Sequence, residues 1–244
     1  MRPPVFVLAL ALVACATPAS VPAPVTTAAA QQSSPVPAQL PSAEGTSFDP
    51  SLAPAGGYVM DPRHASVIWR VRHMGLSLYT GRFDGCLNSQ GASCPQPGVT
   101  STVTFDPQHP EQSSVTATIQ VSALSTGLVG ANGARDFDHE IGNVLSNSGA
   151  APTITFQSTG VTRTGPTTGL VTGNLTLRGQ THPATMEVTF QGGKNVALRG
   201  GKYVLAFTGR TIINRSQWGA GSLIFNQFAS DETEIIINGE FVQQ

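Results

Sequence analysis

The chain has 244 residues, a net charge of −1, only 11% charged residues, and Lys194 and Lys202 as its only lysines. No basic run is present to neutralise a phosphate backbone, so the composition argues against a nucleic-acid partner. A hydrophobic content of 40% is enough for one sizeable core.

The N-terminus is not core. Arg2 is a minimal positive region, and Val5 to Ala14 is an apolar run of about ten residues, too short for a bilayer span but suited to a secretory signal. It ends in Leu12-Val13-Ala14-Cys15, which resembles the bacterial lipobox, whose cysteine becomes the lipid-modified N-terminus after cleavage. Residues 1–15 are therefore expected to be a lipoprotein-type signal peptide with lipidation at Cys15. An ordinary signal cut near Ala16 or Ala19 is the alternative. Because Ala16 replaces the Asp common in inner-membrane lipoproteins, the expected location is the periplasm, anchored to the outer membrane.

Residues 16–56 are mostly Ala, Pro, Ser, Thr, Val and Gln, with Glu44 and Asp49 the only charges. Such a stretch buries too little apolar surface to order itself and predicts a disordered linker. A flexible coil of ~40 residues spans roughly 35 Å, enough to hold a domain off a membrane. Residues 57–244 fit one domain.

Within that domain, hydrophobic periodicity and Gly, Pro, Asn and Asp clusters predict strands at 58–61, 65–74, 79–88, 99–105, 114–121, 153–161, 169–178, 183–191, 203–213 and 232–242. Residues 76–80 read as a turn or irregular piece. Asp106-Pro107 with His109-Pro110 makes a rigid turn. Residues 131–146 mix apolar spacings and suit a short helix. Thr164-Gly165-Pro166 and Gly192-Gly193 read as hairpin connections. Cys86 and Cys94 flank a Gly/Ser/Asn loop, and an isolated cysteine pair in an exported domain points to a disulfide. Zinc is disfavoured because four ligands at short cysteine spacing are absent.

The alternation is the main signal. Val67, Trp69, Val71 and His73 share one face of their strand while Ile68, Arg70 and Arg72 take the other. One apolar and one polar face suit a closed antiparallel barrel or a sandwich. Glycines at 81, 173, 209 and 239 favour the barrel, since strand glycines mark strong bends and bulges.

Several segments in order resemble the YceI-like family of exported lipocalin-like barrels. They begin with Tyr58-Val59-Met60-Asp61, His64-Ala65-Ser66-Val67-Ile68-Trp69 and Val71-Arg72-His73-Met74-Gly75. Gly81-Arg82-Phe83, Phe105-Asp106-Pro107, Arg135-Asp136 and Pro152 to Phe156 come next. Val171 to Leu177, Gly179 to Pro183 and Ile213-Asn214-Arg215-Ser216 complete the set. An alanine interrupts the family's His-Ser, one extra residue lies between Arg135-Asp136 and His139, and the Cys86–Cys94 loop is an insertion.

The resemblance implies an all-β fold: an extended antiparallel lipocalin-like β-barrel of about eight strands, one short helix and an internal apolar pore. It also implies a long-chain amphiphile in that pore, a polyisoprenoid, quinone or fatty-chain ligand carried or sequestered in the bacterial envelope, with no other cofactor and a homodimer allowed. The expected ligand contacts are Val67, Trp69, Val71, His73, Phe83, Phe105, Ile119, Phe156, Leu175, Met186, Val188, Phe207, Ile235 and Ile237. The alternative is a structural or stress-protective protein whose barrel core packs solid.

Histidines and acids are weighed the same way. His73 could face a head group at a pore end or be a buried histidine bonded to backbone. His64 is expected to cap a turn. Arg135-Asp136 reads as a salt-linked helix start before it reads as a head-group contact. Asp61, His64 and Ser66 are close in sequence, but a regular strand would splay them onto different faces. No Gly-x-Ser-x-Gly, His-Glu-x-x-His, phosphate loop or dinucleotide fingerprint occurs, so a binding protein is expected, not an enzyme.

Overall fold

The structure, a computed structural model, describes residues 44–90, 93–221 and 227–244. The expected signal peptide with Cys15, and linker residues 16–43, lie outside the described residues. The strands are β1 (Gly56–His73), β2 (Ser77–Asp84), β3 (Cys86–Gln90), β4 (Ser93–Pro97), β5 (Val99–Phe105), β6 (Ser114–Gln120), β7 (Leu124–Ser125), β8 (Thr153–Arg163), β9 (Thr168–Leu177), β10 (Gln180–Asn195), β11 (Tyr203–Asn214) and β12 (Ala229–Gln243). One ten-residue helix, α1 (Asp136–Leu145), lies between β7 and β8.

Eight strands close into an antiparallel lipocalin-like barrel in the order β1-β5-β6-β8-β9-β10-β11-β12, with β12 returning to β1. Closure gives each strand of the ring a partner on both sides over part of its length, which reduces the usual hazard of an exposed strand. β1 makes it possible. Its first half, Gly56–Val59, pairs with β5, and its second half, Ser66–His73, pairs with β2. Between Met60 and Ala65 the register with β12 slips, and Pro62, which has no N–H to give to a ladder, sits in that bulge. By periodicity alone this one bent strand reads as two, 58–61 and 65–74.

The bulge also corrects the expected splaying of Asp61 and His64. Their side chains meet, with His64 Nδ1 2.7 Å from Asp61 Oδ2. Asp61 also accepts from the Arg63 amide at 3.1 Å and from the Arg199 guanidinium. Asp61 is buried, so it ties the bend in β1 to the turn between β10 and β11. His64 therefore pairs with an acid inside a strand bulge and does not cap a turn.

Other boundaries shift for local reasons. The predicted strand 79–88 ends at Asp84, because Gly85 passes under the β1 bulge with the Pro62 and Ala65 carbonyls where a side chain would be. Beyond Gly85 the chain forms a separate ribbon, β3 with β4, joined by the Cys86–Cys94 disulfide. Residues 77–78, expected to be irregular, already pair with β1. β10 starts at Gln180, before Pro183, because residues 180–186 pair with β9 alone and the proline costs no ladder bond on its other side. Gly192-Gly193 is a bulge inside β10, not a hairpin; its connection to β11 runs through 196–202.

The linker ends earlier than residue 56. Ser47 bridges Gly193, a short 3-10 turn spans Pro50–Leu52, Ala53 is buried, and the Tyr58 hydroxyl donates to the Pro54 carbonyl at 2.6 Å. Gly192 has a φ of +130°, and a side chain there would strike Thr46. That glycine gives the N-terminal segment its seat.

Candidate functional site

The inward positions follow the two-residue period along the barrel strands between their bulges. On β10 His182, Ala184, Met186 and Val188 are half-buried while Thr181, Pro183, Thr185 and Glu187 are exposed. These inward faces do not close into a solid core. They enclose a cavity of about 810 Å³, toward the upper end of the ~300–1,000 Å³ usual for small-molecule sites, with an almost wholly apolar wall. The alternative of a solidly packed core is therefore not met.

All fourteen residues expected at the pore lie on this wall: Val67, Trp69, Val71, His73, Phe83, Phe105, Ile119, Phe156, Leu175, Met186, Val188, Phe207, Ile235 and Ile237. Val67 and Phe83 are packed tightly, whereas Trp69, Phe105, Ile119, Leu175, Phe207, Ile235 and Ile237 sit against the core only partly buried. His73 is exposed at the rim, so it is not the buried, backbone-bonded histidine that was the alternative.

Glycine keeps the lumen open. The Trp69 indole lies over Gly81, its direct partner across β1 and β2, in the space a Cβ would take. Phe156 does the same over Gly173, and the Met186 thioether over Gly209. Large side chains that would otherwise project across the tube lie along its wall instead.

One end of the barrel is filled by rings. Phe207 meets Phe190 at 5.5 Å, Phe105 at 5.7 Å and Phe241 at 6.0 Å in edge-to-face contacts, and Phe105 stacks parallel to Phe190 at 6.4 Å. Tyr58, fully buried, extends this cluster edge-on to Phe105. Burial, with Tyr203 nearby, pushes the Tyr58 phenol up to about 12, so it stays neutral.

At the other end α1 lies beside the lumen. Phe137, Ile141, Val144 and Leu145 face it, at the spacing of one helical face. The sequence predicts this helix; its inward face went unassigned, although that spacing is visible there. Tyr79 was missed too. It alternates with Gly81 and Phe83 on β2 and touches both Trp69 and Phe137, with ring centroids 6.0 Å apart in each pair. Trp69 Nε1 and the Tyr79 hydroxyl are buried without a hydrogen-bond partner.

Two polar groups hold this end in shape. The buried Asp138 carboxylate accepts from the Thr126 amide at 2.8 Å and pairs with Arg135 Nε at 2.8 Å, while Arg135 also donates to Ser125. The salt-linked helix start is real, but Arg135 pairs with Asp138 and not with Asp136. Arg215 donates to the carbonyls of Ser230 and Ala229 at 3.0 Å each and to that of Ala220. It clamps the turn that carries the buried Trp218, whose Nε1 donates to Leu175 O at 3.0 Å.

Comparison with known proteins adds to this geometry. The model of the YceI-like domain matches residues 58–241. A UPF0312 protein of Pseudomonas paraeruginosa is 30% identical over 199 residues, covering 81% of this chain and 92% of that protein. One from Azotobacter vinelandii is 33% identical over 198 residues, covering 79% and 90%. Among solved structures, Burkholderia cenocepacia BcnA superposes with a TM-score of 0.58 at 22% identity, covering 74% of this chain and 98% of BcnA. The Campylobacter jejuni YCEI protein gives 0.54 at 19% identity, covering 70% and 89%. These two similarities speak to the fold.

Proposed function

This chain belongs to the YceI-like family, and from that premise we propose that its barrel binds a long-chain amphiphilic lipid, a polyisoprenoid, quinone or fatty-chain molecule, for carriage or sequestration in the bacterial envelope. The observation that carries the reading is the continuous apolar cavity of about 810 Å³. Each methylene moved from water into it contributes about 0.8 kcal/mol, so a long chain binds without many polar contacts. Trp69 Nε1 and the Tyr79 hydroxyl, two of the buried polar atoms without a hydrogen-bond partner at the α1 end, favour that end for the head group. A buried donor left unpaired costs about 1–3 kcal/mol, and a ligand oxygen would recover part of it.

The role proposed is binding, in keeping with the apolar wall of the cavity. The lipobox-like Leu12-Val13-Ala14-Cys15 supports a lipid anchor at Cys15 and residence at the outer membrane. The test of binding is native mass spectrometry and organic extraction of the purified protein. A retained amphiphile of discrete mass is expected; an empty barrel that takes up no isoprenoid or fatty chain overturns the reading.

A further inference from the structure

Large apolar side chains are unevenly distributed over the exterior. Met74, Leu76, Leu78, Leu128, Val129 and Phe228 are all exposed, Leu76 by 77%. Topology brings them to one end of the barrel. Met74 and Gly75, with φ of 51° and 71°, make the tight reversal from β1 to β2 and put Leu76 at its tip. The Met74 amide donates to the Phe228 carbonyl at 2.8 Å, so the chain entering β12 lies against that turn. β7 pairs antiparallel with β2, Arg82 opposite Ser125 and Phe83 opposite Leu124, so the chain leaving it toward Leu128 and Val129 heads for the same turn.

Two features indicate what covers this rim. Leu128 and Phe228 are exposed and also line the cavity, so the outer apolar surface runs into the inner one at these residues, beside the exposed polar His73, Ser77 and Glu140 of the same mouth. Arg72 sits opposite Leu78 across β1 and β2, donates to the Leu76 carbonyl at 3.0 Å, and makes no ion pair with the described residues. A cation on a long aliphatic stem beside an apolar tip suits a lipid phosphate above an apolar layer. The opposite end differs in charge: its turns carry Asp106, His109 and Glu111 on one side and Arg199 and Lys202 on the other, and its exposed apolar residues Phe48, Leu52 and Leu198 do not line the cavity.

We propose that this rim docks on the surface of a phospholipid leaflet, so that a long-chain ligand passes between bilayer and barrel without crossing water. The inference rests on the lipid-binding reading for its purpose. Exposed apolar residues gathered in one place, rather than scattered singly, mark a surface that another apolar phase covers. Because each methylene exposed to water is costly, seating the mouth on the leaflet lowers the barrier to exchange.

The test uses the full chain carrying Cys15→Ser, so that an anchor at that residue contributes nothing, with an environment-sensitive fluorophore on Leu76→Cys or, as control, on Leu198→Cys. Cys86 and Cys94 are disulfide-bonded and do not compete for label. Vesicles of phosphatidylcholine, alone or with phosphatidylglycerol, should blue-shift the label at 76 and leave that at 198 unchanged. Val129→Glu should weaken vesicle binding read at 76 about tenfold, since a charge must then enter the interface. No shift at 76, equal shifts at both positions, or an unaffected Val129→Glu variant overturns the docking proposal, and a partner of another kind then covers the rim. Mass spectrometry on the same proteins keeps the two ideas apart. Lipid retained without docking overturns the docking alone, whereas an empty cavity with the shift intact overturns the lipid reading and leaves the docking standing.

Discussion

Trp69 and Gly81 face each other across β1 and β2, and the indole occupies the space that any side chain at 81 would need. The pair decides how wide the tube is at that level. Gly81→Val should drive the ring toward the lumen, destabilise the protein by about 1–3 kcal/mol through overpacking, and lower lipid uptake. Urea unfolding and then lipid titration check both effects; unchanged uptake in a folded variant counts against the pair as a gate on width.

Trp69→Glu and Phe156→Glu each place a charge on the apolar wall of the cavity. Both residues are only partly buried, so the fold should survive. Binding of a long chain should fall at least about tenfold, because a carboxylate must lose water where the chain would lie. Circular dichroism together with native mass spectrometry separates lost binding from lost structure.

Asp61 is buried and serves His64, the Arg63 amide and Arg199 at once. Asp61→Ala leaves Arg199 without this acceptor and frees the β1 bulge from the 196–202 turn. A loss of about 1–3 kcal/mol is expected, below the cost of a fully buried pair because His64 and Arg199 reach water. Denaturant midpoints measure it. His64→Ala, removing the more exposed partner, should cost less.

The Tyr58 phenol is raised to about 12 by burial and by Tyr203, and burial raises Tyr203 as well. A pKa raised on folding means the native state holds its proton longer than the unfolded chain does. The associated stability is fully present below the ordinary tyrosine value near 10 and is lost as pH rises from there toward 12. Thermal melts should be insensitive to these two groups between pH 7 and 9 and fall steeply above about pH 10. Tyr58→Phe should soften that fall while losing the bond to Pro54 O.

Reduction of the Cys86–Cys94 bond opens a loop with a sequence separation of 8 in a ribbon outside the barrel sheet. The chain-entropy account puts the cost at about 2–3 kcal/mol. Because none of the ribbon's described residues lines the cavity, lipid retention should be unchanged in Cys86→Ser/Cys94→Ser. Loss of ligand in that variant would show that the ribbon supports the barrel more than its contacts suggest.

The period of two along each strand assigned the inward face from local information alone, because neighbouring side chains on a strand must point to opposite sides. Together with the family resemblance it named fourteen wall residues, while the disulfide pair came from a different signal, two isolated cysteines in a domain expected to be exported. Tyr79 and the face of α1 were legible by the same rule but went unassigned, Tyr79 because residues 76–80 read as a turn and α1 because nothing local says what a short helix packs against. The bulge at 61–64 was hidden for another reason: a slip of register is a relation between two strands, and β1 by itself reads as two short ones.

Nor does alternation say whether an inward face meets its opposite and packs solid or stands clear of it. That is a property of ring closure, strand number and the volume left when large side chains lie flat over cross-strand glycines. The apolar lining was therefore written in the sequence, one residue in two. The open lumen, and the gathering of exposed apolar residues at one mouth, were decided only when β12 closed back onto β1.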